Sequence, residues 1–248
     1  MIAENAPGSA LLSVHGLDAW YGAAHILYGI NLEVRSGEVV ALMGRNGAGK
    51  STTLKSIMGL VPKCTGAVHF MGQSITRQKT YRIARSGLGY VPEDRRIFTD
   101  LSVGQNLDVG RQPMRHWPDG RPASNWTMEA LYELFPILDT LRNRQAGSLS
   151  GGEQQMLTVA RTLMGNPYLV LLDEPSEGVA PVLVEQMVAM ILALKKQGTS
   201  VLLSEQNMHF AQLVSDRAYV LEKGLVRYAG TMRELKSNDD ILRTYLAL

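Results

Sequence analysis

Gly44-Arg45-Asn46-Gly47-Ala48-Gly49-Lys50-Ser51 satisfies the pattern Gly-x4-Gly-Lys-Ser/Thr and follows directly on an apolar run, residues 38–43. The chemistry of this spacing is phosphate binding. Its glycines let successive backbone N–H groups curl round phosphate oxygens, and a helix starting near Ser51 directs its positive end at them. Lys50 reaches the β- and γ-phosphates, the Ser51 hydroxyl suits a Mg2+ ligand, and Thr52 is placed to assist. A glycine-rich turn that binds nothing is the plain alternative. The strand before the motif and the helix after it favour the phosphate loop.

A second chemical group lies at the end of another apolar run, 168–172, which terminates in Asp173 and Glu174. Open α/β sheets bind ligands outside the carboxyl ends of their strands. Asp173 suits the orientation of Mg2+ through water, and Glu174 the polarisation of an attacking water as general base. A salt-bridged strand end is the ordinary alternative, and Lys50 elsewhere in the chain weakens it. Leu149-Ser150-Gly151-Gly152-Glu153-Gln154-Gln155-Met156 precedes a run with Met156, Val159 and Leu163 at helical spacing. Ser150 then caps a helix with Glu153 in its first turn. The same helix start, with its bare glycine amides, is equally an anion site.

The elements that must hold these groups are short apolar runs at 38–43, 168–172 and 199–204, each bounded by Gly, Asp or Ser and each expected to be a strand buried on both faces of a parallel sheet. Between the last two, Val184, Met187, Val188, Ile191 and Leu194 recur at helical spacing, with Pro181 near the start and Lys195, Lys196 and Gly198 at the end. Shorter strands are expected at 11–14 and 30–34, and Lys223-Gly224 between 217–222 and 225–229 is a candidate hairpin, so the sheet should be mixed. The middle, 89–152, reads as an inserted helical lobe with a helix near 128–138 and an exposed variable loop at 112–122.

With 248 residues, 45% of them hydrophobic, the chain can bury a large core, and a net charge of +2 gives no sign of nucleic-acid binding. Cys64 is the single cysteine, which fits a reducing compartment. The first 12 residues lack the pattern of a secretory leader, and no apolar stretch approaches the roughly 20 residues that span a bilayer. The five histidines are scattered without metal-ligand spacing. Arg77, Lys79, Arg82 and Arg85 form a basic helical face that solvation alone explains, with contact to a membrane subunit or lipid headgroups as the second reading.

At 149–156 the chain resembles ABC ATPases, and the resemblance extends from Tyr21 to about Leu248. The stretches 90–98 (Tyr-Val-Pro-Glu-Asp-Arg-Arg-Ile-Phe), 149–156, 173–181 (Asp-Glu-Pro-Ser-Glu-Gly-Val-Ala-Pro) and 204–207 (Ser-Glu-Gln-Asn) look like ATP-binding subunits of branched-chain amino acid transporters. Those of urea transporters look similar. The resemblance implies an α/β P-loop NTPase (RecA-like) core with a mixed sheet, an antiparallel β subdomain and an inserted helical subdomain. It gives one ABC ATPase domain over 1–248, with 1–88 and 153–248 as nucleotide-binding core and 89–152 as helical subdomain. It also implies ATP-driven import with ATP and Mg2+, on the cytoplasmic face of the plasma membrane. The implied partners are a second, related ATPase subunit bound head to tail, transmembrane permease subunits, and indirectly an extracytoplasmic solute-binding protein.

In this family the signature Ser150, Gly151, Gly152 and Glu153 contacts the γ-phosphate held by the opposite subunit, so one chain forms no complete site. Tyr21 matches the aromatic that stacks on adenine, against the alternative of a core tyrosine. Glu93 stands where the family usually has a glutamine linking γ-phosphate and Mg2+ to the membrane subunits. Its charge beside phosphates needs Mg2+, Arg95 or Arg96 to offset it. Gln206 occupies the place of the switch histidine and cannot carry a proton as imidazole does. Ala180 replaces an aspartate that contacts the opposite subunit. Those two departures motivate the alternative of a nucleotide-binding regulator without turnover.

Overall fold

The computed structural model describes residues 10–246; residues 1–9, where no secretory leader is expected, and 247–248 lie outside it. From the N-terminus, β1 (Ala10–Tyr21) and β2 (Ala24–Arg35) form an antiparallel ribbon, followed by β3 (Val39–Met43) and α1 (Lys50–Ile57). Then come β4 (Lys63–Phe70), β5 (Gln73–Ser74), α2 (Thr80–Arg85) and β6 (Leu88–Val91). β1 and β2 each run for 12 residues, well beyond the fragments expected at 11–14 and 30–34. Their pairing shifts register between Val14 and Leu17 and again towards Trp20. The first of these shifts moves the buried set of β1 from the parity of Leu12 and Val14 to that of Leu17 and Ala19, so the alternation looks short although the strand continues. Of the basic residues assigned to one helical face, Arg77 and Lys79 precede α2, and only Arg82 and Arg85 lie on it.

The middle of the chain contains α3 (Val103–Gly110), α4 (Met128–Leu134), α5 (Pro136–Thr140) and α6 (Gly151–Leu163). The single helix expected near 128–138 is broken at Phe135, because Pro136 has no N–H to continue α4 and instead starts α5. The expected variable loop is held down on both legs. Arg115 donates to the Arg85 carbonyl at 2.7 Å, Tyr168 donates to the His116 carbonyl, and Trp117 packs on Tyr168 with ring centroids 4.6 Å apart. Asn166 accepts from the Trp126 N–H at 2.7 Å and donates to the Gln112 carbonyl at 2.9 Å.

β7 (Leu169–Asp173), α7 (Pro181–Lys196), β8 (Ser200–Glu205), α8 (Met208–Val214), β9 (Arg217–Glu222) and β10 (Leu225–Thr231) complete the core. One sheet has the order β2-β1-β4-β5 and is antiparallel; the other has the order β10-β9-β3-β8-β7-β6, parallel except for β10. Every residue of β3, β7 and β8 is buried. Side chains alternate between faces. Leu169 and Leu171 pack with α1 and the antiparallel sheet, Val170 and Leu172 with α6 and α7, and Asp173 therefore belongs to the α1 face.

Two boundaries drawn from sequence fall inside elements. Gly89, Tyr90 and Val91 pair with Val170, Leu171 and Leu172 in the parallel sheet, and α6 runs across the 152/153 junction.

Lys223 and Gly224 both have positive φ, 48° and 75°, as a two-residue hairpin turn requires. Gly224 also joins the two sheets to the phosphate loop: its carbonyl accepts from Tyr28 N–H and its own N–H donates to the Ala48 carbonyl, both at 2.9 Å. A Cβ here would lie 1.9 Å from the Ile26 carbonyl oxygen. Gly224→Ala is expected to destabilise the fold by at least about 2 kcal/mol, from backbone strain and the forced separation of the sheets. Urea denaturation of the two proteins measures the difference.

Candidate functional site

β3 ends where the phosphate loop begins, and the loop delivers Lys50 to the first turn of α1. The Lys50 side chain is only 3% exposed. Its ammonium donates to the Gly44 carbonyl at 2.8 Å and the Arg45 carbonyl at 3.2 Å, and pairs with Glu174 Oε1 at 3.0 Å. An ammonium has three donors, and here all of them are engaged. Arg45, Asn46 and Gly47 form the exposed crest of the loop, Ala48 and Gly49 its buried floor, and Ser51 and Thr52 the half-buried helix start.

Asp173 is fully buried, with Oδ1 accepting from the Ser204 hydroxyl at 2.7 Å and Oδ2 from the Tyr90 hydroxyl at 3.1 Å. Burial, reinforced by the Asp173 charge and hydrogen bond, pushes the Tyr90 hydroxyl far above the ordinary tyrosine range, so it remains a donor. Glu174 turns away from its neighbour through a left-handed φ of 48°, with its N–H on the Ser204 carbonyl at 3.2 Å and on the Ser204 hydroxyl oxygen at 3.1 Å. Consecutive strand residues point to opposite faces. The left-handed turn lets two consecutive acids serve the same side of the sheet.

Burial opposes ionisation of Glu174, but a hydrogen bond with Glu177 and the Lys50 ammonium outweigh it and hold the carboxyl below its usual value. Glu177 is the other half of that exchange. Its hydrogen bond to Glu174 and the charge of Glu174 push it up to about 7, with burial and the Glu93 charge adding to the effect. A tight turn, Glu177 N–H to Glu174 carbonyl at 3.1 Å, brings the two together.

Glu93 is exposed in the loop after β6. The compensation expected from Arg96 goes elsewhere: its Nε pairs with Asp94 Oδ2 at 2.8 Å. Arg95 instead lies against the signature helix, its guanidinium 2.8 Å from where a Gly151 Cβ would stand. Ser150 caps α6 in a reciprocal box, its N–H on Glu153 Oε2 at 2.7 Å and its hydroxyl accepting from Glu153 N–H at 3.4 Å, while Gly152 lies under Leu183. Among the described residues no hydrogen bond or ion pair joins Ser150, Gly151, Gly152 or Glu153 to the phosphate loop. Tyr21 closes β1 and is 43% exposed, so it is not a core residue. Gln206 is exposed. Ala180 stands at the N-cap of α7 with no side-chain cap, ahead of Pro181.

Sequence reasoning missed Tyr90, Ser204, Glu177 and Glu205. The last is 2% exposed, and its carboxylate accepts three backbone N–H bonds, each at 3.1 Å: Ser176 on Oε1, Gln206 and Asn207 on Oε2. Burial pushes the carboxyl above the ordinary range, against the pull of these donors. The available signal was a carboxylate ending the apolar run at 199–204.

Among the described residues no three His, Cys, Asp or Glu side chains are grouped to hold a metal. One hydroxyl and one carboxylate, with phosphate oxygens and water completing the shell, is the habit of Mg2+. Ser51 at the start of α1 and Asp173 on the α1 face fit that donor set.

A phosphate loop between β3 and α1, faced by acids from the strand after next in a parallel sheet, defines a P-loop nucleoside triphosphatase. Residues 27–177 match the family model described as "ABC transporter", and the chain belongs to that family. It is an ATP-binding and ATP-hydrolysing subunit. It is 38% identical to the high-affinity branched-chain amino acid transport ATP-binding protein BraG of Pseudomonas aeruginosa, over 95% of this chain and 99% of that protein. The lipopolysaccharide export system ATP-binding protein LptB of Escherichia coli is 34% identical over 96% and 97%. Among solved structures, an ATP-binding cassette of an ABC transporter in its ADP conformation superposes with a TM-score of 0.77 at 27% identity, covering 95% of this chain and 98% of that one.

Removing the Glu205 carboxylate leaves three N–H donors without their acceptor. Glu205→Ala is expected to cost about 3 kcal/mol of stability. Hydrogen exchange should speed up selectively at the amides of Ser176, Gln206 and Asn207.

Proposed function

We propose that this chain energises uptake of branched-chain amino acids as one of two ATPase subunits on the cytoplasmic face of a membrane importer. The observation that carries the catalytic part is the buried Lys50–Glu174 pair at 3.0 Å, which sets the phosphate-binding ammonium against the general base. The cargo rests on relatives named for branched-chain amino acid transport, among them BraG and, at 34% identity, a probable LivF of Archaeoglobus fulgidus.

Lys50 and the N–H groups of the loop from Gly44 to Ser51 hold the phosphates of ATP, and Tyr21 stacks on the base. Ser51, Asp173 acting through water, and Glu93 form the Mg2+ side of the site. The cation, when bound, neutralises charge on the transferring phosphoryl group. Glu174 shares its ammonium partner with the phosphates and takes a proton from water, while Gln206 offers its amide to the γ-phosphate. Ser150, Gly151, Gly152 and Glu153 serve the nucleotide of a related subunit packed head to tail, in keeping with contacts that stay on their own side of the chain.

Among the described residues no helix is long and apolar enough to cross a membrane; membership of the ABC transporter family supports permease partners that supply the membrane path. An open groove of about 760 Å³ in the helical lobe, lined by Asp100, Gln105, Met128, Glu129, Tyr132 and Arg142, offers apolar and charged contacts to a permease helix. An extracytoplasmic binding protein then acts only through that permease.

Lys50→Ala is expected to abolish tight ATP binding, whereas Glu174→Gln keeps binding and stalls turnover. Equal loss of binding in both would overturn the assigned roles. In source cells, Glu174→Gln should remove uptake of labelled leucine and leave labelled urea untouched. The reverse pattern moves the cargo to urea.

A further inference from the structure

A buried carboxylate that orients a cation must itself be oriented, and the neighbours that do this are separate from the groups that meet the nucleotide. Asp173 lies at the end of β7, between β6 and β8 in the sheet, directly opposite Ser204 in register. Tyr90 pairs with Leu171, two residues earlier on the same face. Each neighbouring strand thus sends one hydroxyl to one Asp173 oxygen, Ser204 to Oδ1 at 2.7 Å and Tyr90 to Oδ2 at 3.1 Å. Two donors on two oxygens from opposite sides fix the carboxylate's rotation, which a single bond would leave free. The Ser204 oxygen accepts, in addition, the Glu174 N–H at 3.1 Å.

We propose that Tyr90 and Ser204 are positioning residues for the divalent cation, clamping the Asp173 carboxylate from the two strands that flank it. Ser204 also sets the left-handed turn that divides the work between Asp173 and Glu174. The proposal rests on the assignment of Asp173 to the cation. Neither hydroxyl meets phosphate or metal; both act by leaving Asp173 one orientation. Because β6 leads into Glu93 and β8 into Gln206, the clamp also ties the acid to the strands that carry both loops.

The test uses the full chain and Mn2+, whose binding is followed by electron paramagnetic resonance in the presence of a non-hydrolysable ATP analogue. Tyr90→Phe removes one oxygen from a ring that keeps its place, so it decides the matter even if Ser204→Ala fails to fold. Each variant is expected to weaken Mn2+ binding about 10-fold. Analogue binding measured in EDTA should be unchanged, a split that general loosening of the fold would not produce. Asp173→Asn is the reference. If it weakens Mn2+ binding while Tyr90→Phe and Ser204→Ala match the wild type, the clamp is overturned and the cation assignment stands. If Asp173→Asn also matches the wild type, the cation assignment falls and the clamp with it.

Discussion

The site depends on one buried ammonium. Lys50 joins a loop that leaves β3 to an acid that leaves β7, and these strands are not neighbours, since β8 lies between them. A cation 3% exposed is costly unless its charge and its donors are matched. Two loop carbonyls and a carboxylate supply the match. The crossover helices, the order of the sheet and the left-handed Glu174 all serve to bring that carboxylate within reach of the loop. The same features leave Asp173 behind on the sheet, one residue away and differently engaged.

Around this pair the polar interior is layered. Asp173 is held by hydroxyls, Glu174 by a cation and a partner acid, and Glu205 by main-chain N–H groups. Three carboxylates at neighbouring strand ends would repel one another if all faced the same space. Each is instead matched to a different kind of donor, which keeps them apart in chemistry as well as in direction.

Much of this was legible beforehand. The runs leading to Met43, Leu172 and Ser204 have uninterrupted apolar centres (39–43, 169–172 and 201–203) because those strands are buried on both faces, and the phosphate loop announces itself by glycine spacing. β6 was missed because Leu-Gly-Tyr-Val is four residues with a glycine in it, and only its pairing with β7 makes it a strand. The length of β1 and β2 was hidden by register shifts, and the break between α4 and α5 lay in plain sight at Pro136. Tyr90 and Ser204 could not be picked out, since a hydroxyl gains meaning only from the carboxylate across the sheet. Asp94 took the partner expected for Glu93, because an arginine two residues on reaches it within one turn of the backbone.

The segment from Gln112 to Trp126 has two fixed legs and a free end. His116 and Pro122 bridge across it, Asp119 and Arg121 pair at 2.7 Å, and residues 118–121 stand in solvent. Chain added at such a tip disturbs no buried backbone. The tip at 118–121 is therefore a natural place to insert an affinity handle, beside a Gly120 kept for its φ of 84°, while the legs stay anchored on Arg85, Asn166 and Tyr168.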